Sequence, residues 1–306
     1  MAADRWGGLG EERRSPPARR ARVAAPYLFI GPALLGLALF KLYPILVGLV
    51  ASLFDYEAIS GRRAWIGLGN YRELFADALF WRACWNTFLF NAVVTPLQVV
   101  LALGLAVLVN RRLPGMTAFR SIFFVPAVIS LVVASIIWDL IYNPDNGLAN
   151  SLLAVLGIPP QPFLVSARQA MGAVIAMVTW KGVGYWMVIF LAGLQAIPGV
   201  FREAALIDGA SPWQFFWRVT LPLLVRTIVF VVVADTAINF LLFAPMYIMT
   251  QGGPSDSTTV LMFEVYRNAF VYFRLGYASA VSTVLLALML IVVVLQFRVL
   301  RPRVEY

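Results

Sequence analysis

The sequence predicts an all-α integral membrane protein that crosses the bilayer six times. Of its 306 residues, 61% are hydrophobic and 13% are charged, and this charged fraction is about half that of an ordinary soluble domain. A helix of about 20 apolar residues crosses a hydrocarbon core about 30 Å thick. Six stretches meet that requirement, with approximate bounds 26–53, 86–109, 119–142, 170–197, 223–249 and 278–297.

The distribution of arginine indicates how the chain is oriented. With the N-terminus inside the cell, 15 arginines lie on the cytoplasmic side and 7 on the other. Cytoplasmic loops normally carry the excess of Lys and Arg, so we expect both termini in the cytoplasm. Residues 1–22 hold six of these arginines and two prolines. We expect them to form a disordered cytoplasmic tail, followed by a transmembrane domain at 23–306.

The composition excludes several kinds of chemistry. The chain has no histidine and a single cysteine, Cys84, so it lacks the commonest general base and any cysteine cluster for a metal. At most two carboxylates, those of Asp139 and Asp235, lie within the predicted spans, and they do not form a catalytic set. We therefore expect no catalytic residue, metal site or cofactor in this chain. Its basic clusters flank spans, so we expect no nucleic-acid partner.

The connection after the fourth span, at about 198–222, is much longer than a simple turn. A short helix is predicted at about 200–207, and the following Asp208-Gly209 pair forms a turn in which glycine suits a left-handed conformation. A second short helix is expected to begin at a capping box of Ser211 and Gln214.

The second short helix places three aromatic residues, Trp213, Phe216 and Trp217, on one side. An exposed apolar face of this kind docks into a groove of another protein or lies on the lipid surface. The pattern alone leaves both interpretations open.

A motif in this connection resembles a known family. Glu203-Ala204-Ala205 is followed after three residues by Gly209 and after nine more by Val219-Thr220-Leu221-Pro222. This arrangement resembles the EAA loop of permease subunits in binding-protein-dependent ABC importers, although Val219 stands where isoleucine is more usual. The resemblance extends from about residue 26 to the end of the chain.

A second set of residues resembles the carbohydrate-uptake branch of that family. It comprises 247–254, Thr258-Thr259, the segment 266–270 and 276–280, with Gln251 in place of the more usual Gly or Asn. The resemblance implies a multi-pass permease in the plasma (inner) membrane of a bacterium or archaeon. It also implies transport of a sugar, polyol or glycerol phosphate by alternating access. A secondary, ion-coupled transporter and an ABC permease for a non-sugar solute are the alternatives.

The resemblance also assigns partners and coupling residues. It implies a second, homologous permease, two ATPase subunits and an extracytoplasmic solute-binding protein. ATP and Mg²⁺ belong to the ATPase subunits, because this sequence has no G-x-x-x-x-G-K-[ST] motif. The resemblance implies that Glu203 pairs with a basic ATPase residue. The alternative is that Glu203 is a solvated helix charge that pairs locally with Arg202 or Arg218. The implied coupling residues are Glu203, Ala204, Ala205, Gly209, Trp213, Phe216, Leu221 and Pro222.

Polar and aromatic residues within the fourth and fifth spans are candidates for the solute route. Aromatic rings stack on sugar rings and polar groups bond hydroxyls, but Lys181 and Asp235 are equally explained as a structural ion pair between helices. The candidates are Trp180, Lys181, Tyr185, Trp186, Asp235 and Asn239. Lys41, Asn86, Asn91 and Gln98 are weaker candidates, because lone polar residues in spans commonly bond to neighbouring helices.

Overall fold

The computed structural model describes residues 29–111 and 113–300. The predicted tail at 1–22 lies outside the described residues. The chain divides into two compact units, one up to Gly48 and one from Leu49 onwards.

The first unit contains most of helix α1, Phe29–Ala51, whose last residues belong to the second unit. One turn of α1, Ala38–Leu42, is a π-helix and comes just before Pro44. Proline lacks an N–H and clashes with the carbonyl of the residue four positions earlier, here Phe40. A widened turn at this position removes that clash and lets the helix continue.

The second unit is built around three long helices: α3 at Ala78–Val109, α7 at Ala170–Gln195 and α12 at Leu275–Val299. Together with α1, they are the four helices in the described part of the chain that are individually long and apolar enough to cross a membrane. The other α-helices and strands are β1 Phe54–Tyr56, β2 Arg63–Trp65, α2 Gly69–Ala76, α4 Met116–Val128, α5 Leu131–Ile141, α6 Leu148–Val155, α8 Gly199–Ile207, α9 Pro212–Leu223, α10 Val225–Phe240 and α11 Leu261–Tyr266. Three short helical turns lie at Phe163–Val165, Met246–Thr250 and Arg267–Val271.

Two of the six predicted spans are broken. The stretch predicted at 119–142 consists of α4 and α5, which meet at 98°. Ile129 and Ser130 between them have extended backbone conformations, so the helical hydrogen bonds stop there. In the second pair, α9 meets α10 at 64°, and α10 ends at Phe240 instead of continuing to residue 249. The chain has up to six spans when each bent pair counts as one.

A short antiparallel hairpin, β1 and β2, precedes α2 and lies against the start of α12. The Asn70 amide donates to the carbonyl oxygens of Ser52 and Phe54 at 2.8 and 2.9 Å, which fixes the hairpin to α2. Gly276 has no side chain, and this allows the Phe54 carbonyl to approach the backbone of α12 closely. Local backbone and amide contacts thus hold this end of the unit together.

The core lies where α7 packs against α3 and α4. Its largest fully buried side chains include Phe90, Phe190 and Met187. Glycine allows the close approaches: a Cβ on Gly184 would overlap the backbone of Phe123, and one on Gly182 would overlap the Gln98 side chain. The packing of α7 therefore depends on these small residues.

Candidate coupling loop and buried polar cluster

The connection between α7 and α10 forms two short helices, α8 and α9, as predicted. The fourth predicted span, 170–197, corresponds to α7, which ends at Gln195, and Gly199 is the first residue of α8. The chain turns at Pro198, whose extended ψ of 137° separates the two helices. We call residues 198–222 the coupling loop.

The turn between α8 and α9 is closed by backbone hydrogen bonds. Gly209 has φ +70°, in the left-handed region. The Ala210 N–H donates to the carbonyl of Ala205 at 2.9 Å, and the Gly209 N–H donates to that of Leu206 at 3.2 Å. These two bonds form a Schellman motif, which requires a left-handed residue at the position of Gly209. The sequence prediction of a glycine turn is confirmed.

The start of α9 is a complete capping box. The Ser211 hydroxyl accepts from the Gln214 N–H at 3.2 Å, and the Gln214 side chain accepts from the Ser211 N–H at 2.8 Å. Pro212 occupies the first helical position, where its missing N–H costs nothing. Further along, the turn Phe216–Thr220 is π-helical just before Pro222, as in α1. Leu221 and Pro222 are half-buried where α9 approaches α10.

The outer face of α9 carries a cluster of aromatic rings. Trp213 packs against Phe216 and Trp217, with ring centroids 6.4 and 5.4 Å apart. The Trp213 side chain is 69% exposed and Phe216 is half-buried. Exposed aromatic residues are enriched at protein interfaces. The coupling loop therefore presents an apolar face that is exposed in this chain.

Glu203 and Ala204 lie exposed on α8. Neither Arg202 nor Arg218 forms an ion pair with Glu203 within the described ranges 29–111 and 113–300. The local pair considered from the sequence is thus not formed, and the carboxylate is available to a cation outside this chain.

An open groove of about 1260 Å³ lies behind the coupling loop, at the ends of α3 and α7. We call it the basic groove. Arg120 is held there by two hydrogen bonds to the Val109 carbonyl, from Nε at 3.2 Å and from Nη2 at 2.8 Å. The charged and amide side chains that line the groove are Asn110, Arg111, Arg120, Gln195, Arg202 and Glu203.

A buried polar cluster joins α3, α7 and α10. The Trp186 indole N–H donates to Asp235 Oδ1 at 2.8 Å, and these residues are 3% and 2% exposed. Asn239 is also buried, and its amide lies 3.4 Å from the Thr95 hydroxyl. Thr95 is not among the candidates predicted from the sequence, although its spacing from Asn91 and Gln98 places all three on one face of α3.

The ion pair considered for Lys181 and Asp235 is not formed. The Lys181 ammonium instead donates to the Ala127 carbonyl at 3.1 Å, near the end of α4. Carbonyls in the last turn of a helix lack intrahelical partners and attract cations. Lys181 therefore closes α4 next to the 98° bend, and Asp235 bonds to Trp186 instead.

The six solute-route candidates thus do not form one site. Trp180 is 38% exposed and lies 5.5 Å from the Trp138 ring, while Tyr185 is 47% exposed. Trp186, Asp235 and Asn239 are buried between helices. Gln98 donates to the Val178 carbonyl at 2.8 Å, and Asn86 donates to the carbonyls of Asp256 and Thr259. For these two residues, bonding to neighbouring segments is confirmed.

Several long apolar helices that enclose a buried polar cluster, with an exposed two-helix connection at one end, are typical of a multi-pass membrane transport protein. Residues 84–306 match the family described as the binding-protein-dependent transport system inner membrane component. The chain belongs to this family.

Its relatives and its fold agree with that membership. A probable ABC transporter permease of Bacillus subtilis, YurN, is 37% identical over 278 residues, covering 89% of this chain and 94% of that protein. The sn-glycerol-3-phosphate permease UgpA of Brucella abortus is 33% identical, covering 92% and 96%. The sulfoquinovosyl glycerol permease SmoG of Agrobacterium fabrum is 33% identical, covering 90% of each chain.

A chain of a solved bacterial alginate ABC transporter, in complex with an alginate-bound periplasmic protein, has the same fold. It superposes with a TM-score of 0.80 at 23% identity and covers 92% of this chain and 96% of that one. The expectation of an all-α ABC permease fold is confirmed.

Proposed function

We propose that this chain is the permease subunit of an ATP-driven importer for a sugar, a polyol or a glycerol phosphate. Relatives named for glycerol 3-phosphate and for a sulfoquinovosyl glycerol each cover at least 90% of this chain, which supports this solute class. The observation that carries the proposal is the coupling loop, an ordered pair of helices with an exposed aromatic face and an unpaired carboxylate.

The energy comes from partner subunits in this proposal. The chain has no phosphate-binding loop of the Walker type, so ATP and Mg²⁺ bind to two ATPase subunits in the cytoplasm. Trp213 and Phe216 enter a cleft in an ATPase subunit, and Glu203 pairs with a basic residue of that subunit. Gly209 holds the angle between α8 and α9 so that both contacts form together. Ala204 has a small side chain, so the face of α8 that carries it can approach the ATPase subunit closely. Ala205, Leu221 and Pro222 determine the shape of the loop.

The proposed transport cycle follows from this attachment. When ATP binding closes the two ATPase subunits, each docked coupling loop moves with its subunit. Because α9 continues into α10 at a 64° bend and α8 follows α7, this movement reaches two of the three helices that hold the polar cluster. Rocking of α7 and α10 then exposes the solute route first outside and then inside. A second permease completes the route, and an external binding protein delivers the solute.

Within this chain, the exposed faces of Trp180 and Tyr185 contact the solute. Aromatic faces stack on the apolar face of a sugar ring. Lys181, Trp186, Asp235 and Asn239 support the route by holding α7 to α4 and α10. This assignment divides the six sequence candidates into two contacts and four supports.

Copurification tests the proposal. The chain, expressed together with the ATPase subunits of its own genome, is expected to retain them in mild detergent. Charge reversal at the unpaired carboxylate, Glu203→Arg, is expected to release them, whereas Asp145→Arg, at an exposed carboxylate outside the coupling loop, is the matched control. Equal retention by the wild type and both variants would remove the docking role of the coupling loop.

A further inference from the structure

The basic groove has a charge that the proposed transport cycle does not use. Three arginines and one glutamate line it, which leaves an excess of two positive charges. Arg111 and Arg202 form no ion pair or hydrogen bond within the described ranges 29–111 and 113–300. Both residues are exposed and line the groove.

The position of the groove relative to the long helices indicates its depth in the membrane. It begins where α3 and α7 end, at Val109 and Gln195, and it is closed on the other side by α8 and α9. Both α3 and α7 are long enough to cross a membrane. The ends of such helices lie at the level of the lipid headgroups, and the exposed tryptophans of α9 are of the type that accumulates there.

We propose that the basic groove binds the phosphate group of an anionic phospholipid. Arginine is suited to phosphate because its planar guanidinium donates two parallel hydrogen bonds to phosphate oxygens. Arg111, from the end of α3, and Arg202, from α8, approach the phosphate from the two walls. Arg120 adds a third charge and is already fixed by its bonds to Val109. The amides of Asn110 and Gln195 supply neutral donors beside them.

A lipid in this groove would connect the bilayer to the coupling loop. Its headgroup bridges α3, which carries one side of the polar cluster, and α8, which carries Glu203. Binding therefore favours one position of the coupling loop relative to the membrane helices. The glutamate on the groove wall repels the phosphate, so docking of Glu203 on a cation of the ATPase would also strengthen lipid binding.

The inference relies on the proposed function only for placing the groove at the cytoplasmic leaflet and for the effect of Glu203 docking on lipid binding. Its test uses neither the ATPase nor a solute, so a failure of one proposal leaves the other standing. The full chain in neutral detergent is titrated with phosphatidylglycerol, and bound lipid is counted by native mass spectrometry. The double variant R111Q/R202Q is compared with R72Q/R168Q, which removes two exposed arginines near the opposite ends of α3 and α7.

We expect R111Q/R202Q to bind phosphatidylglycerol about thirtyfold more weakly at its tightest site, because each arginine near an anionic headgroup contributes about fivefold. R72Q/R168Q is expected to bind like the wild type, and phosphatidylcholine is expected to show no difference among the three proteins. Equal phosphatidylglycerol binding by both double variants would overturn the proposal.

A competition arm distinguishes lipid from free phosphate. Inorganic phosphate at tens of millimolar is expected to leave the bound phosphatidylglycerol in place, because the acyl chains add apolar contacts that the free ion lacks. Displacement of the lipid by inorganic phosphate would overturn the lipid assignment and identify a site for soluble phosphate groups.

Discussion

The indole N–H of Trp186 donates to Asp235 Oδ1 at 2.8 Å, and this bond joins the middle of α7 to the middle of α10. Asp235 Oδ2, in contrast, is buried and has no donor in hydrogen-bonding geometry within residues 29–111 and 113–300, although Thr95 and Asn239 lie beside the carboxylate. The side-chain oxygens of Asn91 and Gln98 on α3 are also buried without donors. These three oxygens are buried acceptors without a donor, so a substitution that adds a donor beside them has a predictable effect.

Asp235→Asn is expected to leave the folded protein as stable as the wild type or slightly more stable. The amide oxygen keeps the bond from Trp186, and the amide nitrogen supplies a donor beside these buried acceptors. Asp235→Leu leaves the buried Trp186 N–H without an acceptor and is expected to cost about 1–3 kcal/mol. Thermal unfolding in detergent measures the stability of both variants against the wild type. Equal destabilisation by Asn and Leu would show that the carboxyl itself is needed.

Lys181 and Asp235 are expected to behave independently. Each bonds to a different partner, Ala127 and Trp186 respectively. Lys181→Met removes the cation near the last turn of α4 and is expected to cost about 1 kcal/mol. The double variant Lys181→Met with Asp235→Leu is expected to show the sum of the two single effects to within about 0.5 kcal/mol. Rescue of one substitution by the other would mean that the two charges pair after all.

Gly209 is expected to be needed for its backbone conformation alone. Its φ is +70°, and a Cβ at this position would meet no atom within 4 Å. Gly209→Val therefore introduces no clash with another residue, but a β-branched residue at positive φ costs roughly 1–3 kcal/mol. The angle between α8 and α9 changes, and ATPase retention and ATP-driven uptake are expected to fall at least tenfold, with membrane insertion unchanged.

Gly199 supplies the matched control. A Cβ on Gly199 also meets no atom within 4 Å, and Gly199 does not have a positive φ. Gly199→Ala is expected to keep both retention and uptake, because alanine is a better helix former than glycine. The same loss in Gly199→Ala as in Gly209→Val would indicate that the loop tolerates no change at all, and would argue against a specific role for the left-handed turn.

Trp213 is expected to matter for association and hardly at all for stability. Its side chain is 69% exposed, so Trp213→Ala removes little buried area and is expected to change the unfolding temperature by no more than Trp65→Ala does. Buried aromatic anchors at an interface each contribute about 2 kcal/mol or more, so ATPase retention is expected to fall about thirtyfold. Unchanged retention would indicate that the aromatic face lies on lipid, the other interpretation of its pattern.

The sequence predicted the coupling loop in detail because its signals are local. The capping box at Ser211 and the glycine turn at Gly209 depend on residues within a few positions of each other. The break at Ile129 and Ser130 was not predicted, because hydropathy gives the length of an apolar stretch and not its straightness. Lys181 and Asp235 were considered as a pair because both are ionisable. Their actual partners, a backbone carbonyl and an indole N–H, depend on helix packing that residue spacing does not specify.

The most direct test of the proposed importer function is uptake into proteoliposomes containing the complete complex. The chain, its partner permease, two ATPase subunits and the binding protein are reconstituted, and entry of the solute that the binding protein carries is followed. We expect uptake with ATP enclosed on the side of the coupling loop, and none with ADP. Uptake by this chain without the ATPase subunits, driven by a proton or sodium gradient, would contradict the account and identify an ion-coupled transporter.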